Sequence, residues 1–532
     1  MRFHLRTTSL LLPAMIALSV GATPARAQQP AAVETAAKCA ALGGLDLSGT
    51  PDAVIQVLAT TDVAQHGSQA GYCEVAGYVA PSVGFALRLP SDHWNGKFIE
   101  LGCGGACGFT AHVAACAEPV QRGYACIVSD GGHKARGDVK WAYNHPEAVL
   151  EYFVRASHVT AIAGKVISER YYHEAPQKSY FLGCSAGGLQ GTVEAERFPW
   201  DFDGIVVGAP SLSLTGLWLS LMSANRALTR PDGEPTLGPA DLETLHQAVV
   251  ARCDLNDGLK DGLIGDPRAC GFKPSELLCA AGNTTGCLTG PQVDAVNRIY
   301  GGAVTSKGEQ IVAPTVQKGS ELTWLEFLSG SAAKPNSTYE YFADWGRYFL
   351  LQPNPGPAWK PSEFDFDRDY KRMGMAEVVE PANSPDLRRF KARGGKLLSY
   401  MGWSDPAGGV LTTVDFYETA ERVVGGRQAT QDFYRLFMVP GMYHCGNGEG
   451  ASTVDWLSYL EAWVEKGQAP NEIVGAHLKA TPPGASGNPF PIPRPDPAQI
   501  QFTRPIYPYP VVAKYRGKGD PNDAGSFRAV EP

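Results

Sequence analysis

The chain has 532 residues, 44% of them hydrophobic and 19% charged, with a formal net charge of −8 and 12 cysteines. An acidic balance disfavours polyanionic partners, so nucleic acid is not expected as a ligand. The length suffices for a large core, or for one large domain with a substantial insertion.

The N-terminus reads as an export signal over residues 1–27. Arg2 and Arg6 precede a mostly apolar run from Ser9 to Val20, and Ala25-Arg26-Ala27 is a small-x-small cleavage site. That run is too short to span a bilayer, which needs about 20 residues, and no later stretch reads as a membrane helix. Losing three arginines would take the charge to −11, with 43 basic against 54 acidic side chains. A soluble secreted or periplasmic protein is expected, with no membrane partner. Such compartments are oxidising, and the even cysteine count fits six disulfides. Zinc is the weaker alternative, because no C-x-x-C occurs and the histidines lie elsewhere.

Six segments read as buried strands: Lys97 to Leu101, Tyr124 to Ser129, Ser179 to Leu182, Gly204 to Val207, Lys396 to Tyr400 and Tyr434 to Val439. Helical patterns lie between them at Ala148 to Arg170, Gly188 to Arg197, Thr412 to Val424 and Thr453 to Lys466. The alternation predicts a mainly parallel sheet covered on both faces. It breaks between Pro210 and about Asp386, in a segment of turns, four cysteines and many aromatics. That is too long for a connection. The expected organisation is a catalytic domain of residues 28–210 and 386–532, interrupted by an inserted lid domain, 211–385. The proline-rich tail from Thr481 is expected to wrap the surface as extended coil.

Gly183-Cys184-Ser185-Ala186-Gly187 is a G-x-S-x-G directly after a strand and before a helix, the context of a nucleophile elbow in an α/β-hydrolase fold. Small neighbours let the serine sit on a tight turn. A structural turn or a phosphate cradle are the alternatives, but no lysine or second glycine spacing supports phosphate. The partners expected after the serine are an acid and then a histidine. Asp405, in Gly402-Trp403-Ser404-Asp405-Pro406, and His444, in Gly441-Met442-Tyr443-His444-Cys445, each follow a strand and keep that order. His133 and His158 precede the serine and break it. Cys184 and Cys445 flank the serine and the histidine, so a bridge between them would hold both side by side. Oxyanion donors are expected from Ala186 N–H and from the Gly104-Gly105 turn, with Gly105 favoured.

Between Cys253 and Asp266, Asp254, Asp257 and Asp261 crowd a glycine-rich loop that fails the EF-hand template. They would repel one another unless a cation bound them, and calcium suits carboxylates with backbone carbonyls. A solvated turn is the alternative.

The Gly-Cys-Ser-x-Gly-Gly elbow, the Gly-Trp-x-Asp-Pro aspartate and the Gly-Met-x-His-Cys histidine resemble those of the tannase and feruloyl esterase family. The resemblance runs from about Cys39 to Phe527. It implies a serine esterase acting on aromatic esters such as hydroxycinnamoyl, galloyl or terephthalate esters. It also implies structural calcium on Asp254, Asp257 and Asp261 with the carbonyls of Leu259 and Leu263. Cys253 and Cys270 bracket that loop and are expected to pair; Cys39, Cys73, Cys279 and Cys287 are expected in disulfides too. The pairing of Cys103, Cys107, Cys116 and Cys126 stays open.

The lid aromatics Trp324, Phe327, Tyr339, Tyr341, Phe342, Trp345, Tyr348, Phe349 and Trp359 are expected mostly as lid core, with a few lining an acyl pocket. Arg347 is a candidate partner for a substrate carboxylate or phenol. Two departures from the family pattern are Met401, where relatives often have histidine, and Tyr507, where many have cysteine. The partner of that cysteine, expected near Phe527, is also missing. Two further function classes stay open: a serine carboxypeptidase with the same triad order, and a catalytically silent, calcium-stabilised binding protein.

Overall fold

The computed structural model describes residues 29–135, 137–283, 285–379, 384–479 and 494–532. The expected export signal at 1–27 lies outside the described residues.

Strands β1 (Ile55–Val63), β2 (Tyr72–Val79), β3 (Val83–Pro90), β4 (Lys97–Leu101), β5 (Ala125–Ser129), β6 (Lys178–Cys184) and β7 (Gly204–Gly208) belong to one sheet. A small separate ribbon follows, β8 (Ala303–Val304) with β9 (Gln310–Val312). Then β10 (Lys396–Gly402) and β11 (Tyr434–Val439) complete the sheet in the order β1-β2-β3-β5-β4-β6-β7-β10-β11. From β5 to β11 every pairing is parallel. These six strands are the six apolar runs of the sequence, and β5, β7 and β11 are buried along their whole length. A strand covered on both faces has no polar side to show.

Tyr180 and Phe181 make that double cover visible. Phe181 packs against Gly191 of the helix Ala186–Arg197. Tyr180 faces the other way, and its hydroxyl donates to Glu465 of the helix Trp456–Lys466 at 2.6 Å.

Three strands of the large sheet went unread. β1, β2 and β3 extend the sheet antiparallel from β5. β1 is largely solvent-facing and β2 alternates between inside and outside, so neither forms an apolar run. The expected surface coil after Thr481 is also corrected. Within the described part of that tail, β13 (Ile500–Ile506) pairs with β12 (Ile473–Leu478), and β14 (Val512–Tyr515) pairs with β15 (Phe527–Val530). Pro505 lies within β13, opposite Val474 in a two-stranded ribbon where both strands are edges, and the neighbouring Ile, Phe, Val and Tyr residues set the extended conformation.

Six disulfides form: Cys39–Cys73, Cys103–Cys107, Cys116–Cys126, Cys184–Cys445, Cys253–Cys270 and Cys279–Cys287. Where the family pattern would hold a further pair, Tyr507 and Phe527 are both buried and line one small cavity, with the Arg504 guanidinium over the Phe527 ring at 4.7 Å. Aromatic packing stands there instead of a crosslink.

Candidate active site

β4, β6, β10 and β11 run parallel, so the loops after them open at one edge of the sheet. That edge receives Gly105, Ser185, Asp405 and His444. Ser185 sits at φ 61°, ψ −121°, a strained conformation for a residue with a side chain. The turn closes because its neighbours lack one. A Cβ at Gly183 would lie 2.2 Å from the Gly187 carbonyl oxygen, and one at Gly188 would lie 2.4 Å from that of Gly208.

His444 Nδ1 lies 2.9 Å from Asp405 Oδ2, and Nε2 lies 2.9 Å from Ser185 Oγ. A carboxylate only accepts, so Nδ1 carries the proton and leaves the Nε2 lone pair for the serine hydroxyl. Asp405 is fully buried, and its Oδ1 accepts the N–H groups of Ala407 and Gly408, each at 2.8 Å. The carboxylate is thereby fixed before any substrate arrives. Burial lowers the proton affinity of His444, but the charge and hydrogen bond of Asp405 outweigh it, and the imidazole pKa is raised above 6.5. Cys184 and Cys445 are bridged with Cα atoms 5.9 Å apart, as their positions beside serine and histidine suggested.

Ala186 and Gly105 line the same cavity as Ser185. In the turn after β4, Gly102 N–H donates to Leu182 O at 2.8 Å and Cys103 N–H to Gln190 Oε1 at 3.2 Å. Both donors are committed within the protein. The Gly105 carbonyl accepts from the Tyr152 hydroxyl at 2.6 Å. Gln190 and Tyr152 thus hold this turn and went unread; the signal for Gln190 was its place on the elbow helix, five residues after Ser185.

A family model of tannase and feruloyl esterase matches residues 67–530. The chain belongs to that family. It is 32% identical over 553 residues to a mono(2-hydroxyethyl) terephthalate hydrolase of Piscinibacter sakaiensis, across 90% of this chain and 89% of the relative. It is 30% identical over 482 residues to a probable feruloyl esterase B-1 of Aspergillus flavus, across 86% of each chain. A crystal structure of an esterase from Aspergillus oryzae superposes with a TM-score of 0.80 at 26% identity, covering 93% of this chain and 100% of that one. This tannase-family protein is a carboxylic ester hydrolase built on the α/β-hydrolase fold.

The esterase cavity measures about 580 Å³. Of the aromatics between residues 211 and 385, Phe327, Tyr341, Phe342 and Trp345 line it, and Phe327 meets the His444 ring edge-on at 6.0 Å. Trp324, Tyr339, Tyr348, Phe349 and Trp359 are buried elsewhere in that segment. Arg347 does not reach the cavity. Its guanidinium is held by Glu340 at 2.9 Å, Asp344 at 2.8 Å and the Trp359 carbonyl at 3.0 Å, which corrects its reading as a substrate partner.

On the acidic loop, Asp254 accepts from the N–H groups of Asp261 and Gly262, Asp257 from that of Leu259, and Asp261 from that of Leu263. Asp261 also pairs with Arg504 at 2.5 Å. The charge is incompletely met. Burial first, then repulsion from Asp261 and Asp254, pushes the Asp257 carboxyl up to about 7 against the help of Leu259 N–H and Arg504. Carboxylates and carbonyls form an oxygen-only donor set, and with this unmet charge the loop residues fit a hard cation. Cys253–Cys270 staples the loop. Among the described residues, the His, Cys, Asp and Glu side chains that converge within 4.8 Å as a trio are instead His158, Glu194 and Asp201. All three are buried, Glu194 on the elbow helix itself, and the Lys165 side chain beside them donates to the Asp201 carbonyl.

Proposed function

We propose that this esterase hydrolyses aromatic carboxylic esters through an acyl-enzyme on Ser185. The observation that carries it is the Ser185–His444–Asp405 chain of hydrogen bonds opening onto an aromatic-lined cavity. Ser185 Oγ attacks the ester carbonyl while His444 Nε2 takes its proton. Asp405 keeps the ring oriented and stabilises the imidazolium. Ala186 and Gly105 N–H groups receive the developing oxyanion. His444 then gives its proton to the leaving alcohol, and water repeats the sequence to release the acid.

Calcium belongs to this reading as a structural ion. Asp254, Asp257 and Asp261, with the Leu259 and Leu263 carbonyls, would hold it, and its charge would offset the crowded carboxylates. No step of the reaction runs through it. Residues 211–385 act as an inserted lid that brings Phe327, Tyr341 and Trp345 over the serine. Export past a cleaved 1–27 signal agrees with six disulfides and no unpaired cysteine among the described residues. Among the described residues lining the cavity there is no Lys or Arg to meet a peptide carboxylate, so the carboxypeptidase alternative draws no support.

Comparing turnover of methyl ferulate, methyl gallate, mono(2-hydroxyethyl) terephthalate and a peptide panel tests the proposal. Turnover of at least one aromatic ester is expected; cleavage of peptides alone would overturn it.

A further inference from the structure

The cavity lining carries a polar atom that the reaction leaves unused. His112 lines the cavity together with Ser185 and His444, yet its Nε2 is buried and has no hydrogen-bond partner among the described residues. Buried polar atoms are nearly always paired, so an orphan inside a substrate cavity marks the place of a ligand atom. We propose that His112 is a specificity residue whose Nε2 accepts the O–H of a phenolic hydroxyl on the acyl ring of the substrate. The inference rests on the aromatic-ester reading above and assigns one residue to it.

Its chemistry is set locally. Burial lowers the imidazole pKa below 6.5, with the Phe109 backbone partly offsetting this, so the ring is neutral at neutral pH. The Phe109 bond uses Nδ1, because Nε2 has no partner. A carbonyl accepts, so Nδ1 holds the proton and Nε2 presents a lone pair. A lone pair selects an O–H donor and has nothing to offer a carboxylate or a methoxy group.

The residue is also held in place. It sits in the 3₁₀ turn Ala111–Cys116, whose last residue is bridged to Cys126 of β5, and its ring meets Phe109 edge-on at 5.5 Å. In the same cavity Phe327, Phe342, Trp345 and Leu189 supply apolar walls to an aromatic ring. A site built to pair a substrate hydroxyl rejects the analogue that lacks one, since its own polar atom is then left unmet.

The test compares kcat/KM for methyl 4-hydroxycinnamate, methyl 4-methoxycinnamate and methyl cinnamate in the wild type, H112L and H112Q, with folding checked by thermal melting. The wild type should prefer the hydroxylated ester by about tenfold or more. H112L should bring the ratio of hydroxylated to methoxylated ester close to one, and H112Q, which keeps an acceptor, should restore part of it. An unchanged ratio in folded H112L, or no preference in the wild type, would overturn the His112 assignment while leaving aromatic-ester hydrolysis standing. So would a preference that follows a hydroxyl on the alcohol, seen as 2-hydroxyethyl against ethyl cinnamate. No turnover of any cinnamate by the wild type would overturn the His112 assignment, and the aromatic-ester reading falls with it only if methyl gallate and mono(2-hydroxyethyl) terephthalate are also left intact.

Discussion

The serine edge and the acidic loop are two solutions to placing carboxylates inside a protein. Asp405 is fully buried, yet both of its oxygens are met by Ala407, Gly408 and His444, so its hydrogen bonds are supplied by protein atoms alone. Asp257 lies among other acids with only part of its charge answered, and its carboxyl is pushed up to about 7. A site whose polar groups are satisfied internally is ready before its ligand arrives, whereas one that is not waits for a ligand to finish it. The two regions touch. A Cβ at Gly441, three residues before His444, would come within 2.8 Å of Leu263 Cδ2 on the acidic loop.

The largest expected effect breaks the first region. Ser185→Ala should lower turnover by on the order of a millionfold while the melting temperature stays near wild type. Near-normal hydrolysis by the folded variant would remove the serine mechanism. Asp405→Asn should cost about 10⁴-fold, because an amide no longer fixes the Nδ1–H tautomer of His444. The same pair sets a pH dependence. Asp405 raises the His444 pKa above 6.5, and a protonated imidazole cannot accept the Ser185 proton. The acid limb of kcat/KM should therefore fall with decreasing pH at a midpoint above 6.5. A midpoint well below that value would mean Asp405 does not hold the imidazolium.

Replacing Cys184 and Cys445 together with alanine asks whether hydrogen bonds alone suffice at the serine edge. Loss of about 2–5 kcal/mol of stability is expected. Turnover should also drop several-fold at temperatures where the variant stays folded. Undiminished turnover would assign the bridge to stability only. The smallest effect on chemistry should come from the other region. Chelation, or Asp257→Ala, should lower the melting temperature by a few degrees while turnover measured well below it changes little. Elemental analysis showing no calcium in active protein would sink the ion assignment.

The parts of the fold legible in the sequence were those with one physical cause. β4, β6, β7, β10 and β11 are buried on both faces, so each appears as an apolar run. Residues that follow parallel strands share an edge, so Ser185, Asp405 and His444 could be grouped without knowing their distances. Cys184 and Cys445 gave the grouping an independent check. What stayed hidden depends on partners far away in the chain. β1 and β2 owe their form to pairing with neighbours rather than to apolarity. Arg347 looked free to meet a substrate, but Glu340 and Asp344, two turns and one turn earlier, hold it. His112 is an ordinary loop histidine until the cavity and its unpaired nitrogen are seen.

The Cys184–Cys445 bridge spans 261 residues, enough to enclose the whole segment 211–385. Its topology is that of a ring: the peptide chain from Cys184 to Cys445 is closed by one sulfur–sulfur bond. A single protease cut anywhere on that ring yields two polypeptides that remain one molecule, with Ser185 on the first piece and His444 on the second still joined beside each other. Clipping within the ring should be visible on a gel only after reduction, and the nicked enzyme keeps both halves of its dyad tethered.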